Sequence, residues 1–231
     1  MPTAITVISA RFAEDLSSGA DNSVTPPDAI QQIAGSETTW AETGLPSRGR
    51  RVRSWLTFWP DESLARAHVD NVQAAIPLLG TAESITTAVL LPYSTHGDVN
   101  WFGKPGEIPL DSNPRPEKGA PVFVITSLGL GSIGPGAVAF GQGNHTIRKT
   151  IRSQPGLRFE AQILADNPVT DGVTMTLWDN EASVIDFAYR QDPHRTAMKV
   201  KEHKDISRGS FTRSAVRHFS GSWNGIQTEI G

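Results

Sequence analysis

The sequence predicts an α+β fold built from two similar β-α-β-β-α-β units, and three observations predict it. First, "RSWLTFWPDESLARAHV" and "GVTMTLWDNEASVIDFA" run alike: apolar strand, tryptophan, Pro or Asp, acidic helix start. Trp59 and Trp178 lie 119 residues apart. Second, "AITVISARF" near residue 4 is matched by "PVFVITSLG" near residue 121, an offset of 117. Third, "VNWFG" at 99–103 and "GSWNG" at 221–225 follow the last strand of each half. Similar features at nearly one spacing indicate an internal duplication. The units are placed at 1–112 and 121–231. The Pro- and charge-rich segment 113–120 reads as the linker.

The second half parses most directly. A strand over 121–129 leads through a glycine-rich turn to a helix at 137–153, with Phe140, Asn144, Ile147 and Ile151 on one face. Pro155-Gly156 stops that helix. Strand "LRFEAQILA" follows, and "PVTDG" turns into strand "VTMTLW". A helix over 181–190 carries Val184, Ile185 and Ala188 on one side. A further helix starts at Pro193, and strand "SFTRSAVRHF" closes the unit. This is the ferredoxin-like order. In the first half, the equivalent helix is expected near "PPDAIQQIAG" and the second strand near "ETTWAETG".

Bulk composition narrows the function classes. The chain has 231 residues, 38% hydrophobic and 19% charged, enough for a packed core. A net charge of −3 argues against nucleic acid as a partner. With no cysteine, disulfides, thiolate nucleophiles, iron–sulfur sites and a haem thiolate are excluded. No secretory signal is visible at the N-terminus, and a cytoplasmic location is expected. Residues 119–140 carry no charge, but glycines and Pro135 interrupt them, so no membrane span is read there.

The stretch "VTMTLWDNEASVIDFAYRQDPHRTAMKV" ends a strand in Trp, adds a helix, then opens another helix with Pro-His. It resembles the spheroidene monooxygenase family, within the dimeric α/β-barrel superfamily that includes antibiotic-biosynthesis monooxygenases. The resemblance covers 121–220 well and 1–112 loosely. It implies two fused ferredoxin-like units closing one barrel within the chain, haem b as cofactor, and oxygenation of a small or apolar substrate. The superfamily also holds cofactor-free monooxygenases and cyclases, so fold does not decide function.

Individual residues were weighed against that expectation. Asp192 and Pro193 make a good helix start. At about 100° per residue, His194 then lies between Ala197 and Met198, on the small apolar arc. A neutral imidazole there suits an axial haem ligand; the competing reading is a helix-capping histidine. Met198, one turn on, is a second candidate ligand or a core residue. Arg190 and Arg195 flank His194 and are the candidate propionate partners. His145, on the predicted helix, is either an acid/base group or surface. His96 is expected just past a strand end, near Gly97, Asp98 and Trp101, where loops often carry function. His68 and His218 read as structural, and His203 as solvated.

Arg48, Arg50, Arg51 and Arg53 read as a solvated strand edge, with an anion clamp as the alternative. "GLGSIGPG" lacks a phosphate-binding register. Trp59 and Trp178 are expected in the core. Three functions remain open: a haem-dependent oxygenase, a cofactor-free monooxygenase or cyclase using His145 or His96 as base, and a non-catalytic ligand-binding barrel. The expected partner is a small molecule, and assembly into a homo-oligomer stays open.

Overall fold

The structure, a computed structural model, describes residues 3–17, 24–97, 100–101, 104–105, 110–130, 134–166, 171–190 and 206–231. In chain order the elements are β1 (Ala4–Phe12), β2 (Gln31–Trp40), β3 (Pro46–Trp59), α1 (Glu62–Asp70), α2 (Val72–Ala75) and β4 (Ala82–Gly97). A small ribbon of β5 (Asn100–Trp101) and β6 (Lys104–Pro105) follows. Then come β7 (Val122–Leu130), α3 (Pro135–Ile151), β8 (Leu157–Ala165), β9 (Asp171–Trp178), α4 (Glu181–Ile185), β10 (Ile206–Trp223) and β11 (Ile226–Ile230).

Eight strands close a barrel. The hydrogen-bonded order is β10-β4-β1-β3-β2-β8-β9-β7, and β7 pairs back onto β10. All these pairings are antiparallel. β11 is a hairpin extension of β10. Closure leaves no free edge among these eight strands.

Alternation along each strand sends one set of side chains inward. Val7, Leu56, Leu90, Phe123, Phe159, Met175 and Phe219 belong to the buried interior cluster. An eight-stranded barrel is just wide enough for side chains to fill. Leu110, from the segment after β6, joins the same cluster. The helices lie on the outer face of the barrel.

That outer face carries three apolar clusters. α1 covers Trp59, Val89, Leu91 and Tyr93. The short helical turns after it bring Ile76 and Leu79 onto Ile8, Ala10 and Trp55. α3 and α4 bring Ile147, Ile151 and Val184 onto Val122, Val124 and Trp178. Trp59 and Trp178 are buried as expected, and each indole N–H donates to a threonine hydroxyl, Thr6 and Thr176 respectively. Among the described residues no helix is long and apolar enough to cross a membrane.

Four expectations are corrected. The segment "PPDAIQQIAG" holds no helix: a turn at residues 27–28 leads straight into β2. Ile30 and Ile33 have helical spacing, but the chain here fills the gap between β3 and β8, and the sheet pairing decides. The helix expected over 181–190 is α-helical only to Ile185 and continues as a π-helical turn, Asp186–Arg190. β3 is an inner strand between β1 and β2 only over Val52–Trp59, so Arg53 is not part of a solvated edge, whereas Arg48, Arg50 and Arg51 lie before that pairing and are exposed as expected. Arg53 is buried, and both Arg48 and Arg53 pair with Asp166 at the end of β8. Finally, His96 lies within β4, opposite Phe211, and not in a loop beyond it.

Candidate functional site

The outer face of the β4–β10 seam gathers charged and polar groups beside α4. In the register Arg213 lies opposite Ser94 and Ser214 opposite Pro92, so Tyr93 is the extra residue of a β-bulge. Bulges re-aim side chains and recur next to active sites. This one puts Tyr93 among the outer cluster with Trp59 and Leu91. Alternation then puts Arg213 and His96 on the same outer face.

Arg213 is the centre of the group, with only 14% of its side chain exposed. One terminal nitrogen donates to the Glu181 carboxylate. The other donates to Ser94 Oγ at 3.2 Å and lies 3.4 Å from His96 Nε2. Arg213 Nε is buried and has no acceptor among the described residues.

Glu181 is the first residue of α4, where an acidic side chain is favoured by the helix terminus. Asn180 caps that helix by accepting the Ser183 N–H at 3.0 Å. The other Glu181 oxygen lies 3.8 Å from Arg115 Nη1. The Arg115 guanidinium carbon sits 5.8 Å from the Tyr93 ring centre, a cation–π distance.

Tyr93 is 6% exposed and its hydroxyl has no hydrogen-bond partner among the described residues. Burial, reinforced by the Glu181 charge, pushes its phenol up to about 12. The hydroxyl therefore stays protonated at any physiological pH.

Two apolar grooves flank α4. One, of about 600 Å³, lies between α4 and the turn at Gln154–Pro155 and is lined by Trp178, Ile185 and Phe187. The other, of about 460 Å³, is bounded by residues 116–120 and Val122 on one side and by Glu181, Ala182 and Ile185 on the other. Glu181 thus belongs both to the second groove and to the polar cluster.

Of the residues expected from sequence, only His96 enters this cluster. His145 sits on α3 against the β2–β3 turn, with Nδ1 2.6 Å from the Trp40 carbonyl and Nε2 3.7 Å from Glu42. Arg190 ends the π-helical turn. His194, Arg195, Met198 and His203 lie outside the described residues. Tyr93, Ser94, Arg115, Glu181 and Arg213 were not foreseen. The signal for Arg213 is an arginine inside the otherwise neutral strand "SFTRSAV". Among the described residues no group of three or more His, Asp or Glu is placed to hold a metal ion.

No family model and no curated protein sequence matches the chain. Solved structures do. An aldoxime dehydratase aligns at TM-score 0.54 with 11% identity over 92% of this chain and 81% of its own. A second aldoxime dehydratase, in complex with butyraldoxime, aligns at TM-score 0.53 with 7% identity over 92% and 79%. An anthrone oxidase-like protein aligns over 100% and 98% of the two chains at 12% identity and TM-score 0.31. At these identities the likeness concerns the fold alone.

Proposed function

We propose that the protein is an oxygenase-type enzyme that binds haem b beside α4 and acts on a small, apolar substrate. One observation carries the reading. The larger groove is walled by Trp178, Ile185 and Phe187, and Phe187 stands seven residues before His194 in the chain. The groove is apolar and sized for a flat cofactor. The resemblance of 121–220 to spheroidene monooxygenases supports the same assignment.

His145, whose Nδ1 is held by a backbone carbonyl, lines neither groove beside α4, and His96 Nε2 faces a guanidinium, so His194 is the histidine assigned to the iron. His194 would ligate the iron, Arg190 and Arg195 would hold the propionates, and Trp178 and Phe187 would supply apolar walls. Haem supplies the redox chemistry when bound; the protein supplies orientation and a dry pocket.

The fold reading is refined in the same proposal. The strand orders β4-β1-β3-β2 and β10-β7-β9-β8 are the same order of elements in the two halves. Two fused ferredoxin-like units, 1–112 and 121–231, account for this.

A second reading has its own observation. His96 is exposed on the outer face beside Arg213, and in this reading it is the base of a cofactor-free reaction. Absorption spectroscopy separates the two. Protein expressed with haem supply is expected to show a Soret band, lost in His194→Ala with far-UV circular dichroism intact, and kept in His145→Ala and His203→Ala. A colourless wild type sinks the haem reading and leaves the His96 one. A band that survives in His194→Ala but disappears in Met198→Ala keeps haem and moves the ligand.

A further inference from the structure

We infer that the substrate is a small apolar carboxylate, its oxyanion held by Arg213 Nε–H and the Tyr93 hydroxyl and its body in the smaller groove beside α4. The inference rests on the reading that this face is the enzyme's site, and it names the class of molecule that site takes.

Two buried donors lack acceptors among the described residues. A guanidinium Nε–H can only donate, and an unmet buried donor is costly. The Tyr93 hydroxyl is in the same position, since its phenol stays protonated. Both atoms are shielded from solvent, so a bound group and not bulk water must supply the acceptor. Native proteins retain few such groups, and each calls for a role.

Charge then selects an anion. Arg213 and Arg115 contribute two positive charges and Glu181 one negative, which leaves one positive charge over. Glu181 and Ser94 already occupy the two terminal nitrogens of Arg213, which leaves Nε as the free donor. A single carboxylate oxygen between Nε–H and the tyrosine O–H completes both and neutralises the excess.

The groove gives the rest of the molecule its character. Glu181 bonds Arg213 and also lines the groove, so the groove borders the polar group. Ala120, Val122, Ala182 and Ile185 offer only apolar atoms from their side chains. At about 460 Å³ the groove suits a small ring or short chain.

The test uses the full-length protein and fluorine NMR with two probes, 4-fluorocinnamate and its uncharged amide. The wild type is expected to shift the carboxylate signal saturably and to bind the amide at least about tenfold more weakly. Arg213→Gln is expected to abolish saturation. Tyr93→Phe, which removes one oxygen and keeps the packing, is expected to weaken the carboxylate by about fivefold. Arg217→Gln, on the same strand but paired with Glu62, is the control and should bind as wild type. Equal binding of acid and amide overturns the inference, as does the absence of saturation at millimolar probe. If Arg213→Gln does not fold, Tyr93→Phe decides, and wild-type affinity there overturns it. The Soret band is read on the same samples, so haem binding and carboxylate binding can each fail alone.

Discussion

Trp178 and Phe187 stack nine residues apart in the chain, ring centres 5.3 Å from each other. Trp59 and His68 repeat the spacing, with centres 4.9 Å apart. Each tryptophan ends a strand and each partner comes from the helix that follows. The N-caps also correspond: Asp61 accepts from the Leu64 N–H and Asn180 from the Ser183 N–H, each three residues on. The pairs differ in one respect. His68 buries a ring nitrogen, Nε2, that has no partner among the described residues, where the Phe187 side chain is all carbon.

His68→Phe is therefore expected to stabilise the fold by about 1 kcal/mol, because it removes an unsatisfied polar atom from a site that already accepts an aromatic ring. Burial holds the His68 imidazole below its ordinary value of 6.5. The unfolded chain takes up this proton more readily than the folded one. The wild type thus keeps this contribution above about pH 6.5 and loses it as pH falls through the depressed folded value. Urea titrations at neutral and mildly acidic pH read both effects. The Phe variant should be more stable at each pH, with a shallower decline on acidification. An equal decline in both proteins would show that another group governs the acid limb.

Much of this was legible in the sequence because it is local. Alternation in "AITVISARF" and "LRFEAQILA" marks strands, and Trp followed by a capped acidic turn marks both helix starts. β2 was not legible, because Ile30 and Ile33 carry helical spacing and only the neighbouring β3 and β8 make the segment a strand. The same limit hid most of the polar cluster. His96 is visible as a residue, but its contact with Arg213 spans 117 positions and depends on a bulge at Tyr93 that no local pattern announces. Glu181 is readable as a helix start and not as a partner of β10.

Glu160 on β8 has a fully buried side chain, with Arg152 Nε at 3.3 Å and Arg148 Nε at 3.6 Å from its two oxygens. Arg148 lies on α3 and Arg152 caps its C-terminus, and Arg148 also reaches Glu37 on β2 at 3.1 Å. The group ties α3 across the β2–β8 junction. Glu160→Gln leaves the buried Arg148 with only the partly exposed Glu37 as countercharge. It is expected to cost roughly 3 kcal/mol, the low end for a broken buried pair, because Arg152 is half exposed and can hydrate. Arg152→Gln should cost no more than about 1 kcal/mol, as for a surface pair. Guanidinium unfolding of the two variants measures the difference, and equal losses would show that Glu160 relies on Arg152 instead.

The barrel closes through two junctions of unequal length. β4 and β10 pair from Ser210–Gly97 to Ser220–Thr87, whereas β2 and β8 pair only through Gly35, Ser36 and Glu37. Dividing the chain at the 113–120 linker opens both. Each half then exposes two strand edges and the apolar residues of its inner face, such as Val7 and Leu56 in one and Phe123 and Met175 in the other. Residues 1–112 and 121–231, expressed separately, are expected to show poor solubility and no cooperative unfolding alone, and to recover both on mixing. The longer junction should dominate the reassociation. A β-breaking Val89→Pro in β4 removes a ladder hydrogen bond and should prevent it, whereas Ser36→Pro in β2 should only weaken it. Analytical ultracentrifugation of the mixture reads the outcome. Two halves that fold cooperatively and ignore each other would show that the duplicated units are independent domains, and the single fused barrel would have to be abandoned.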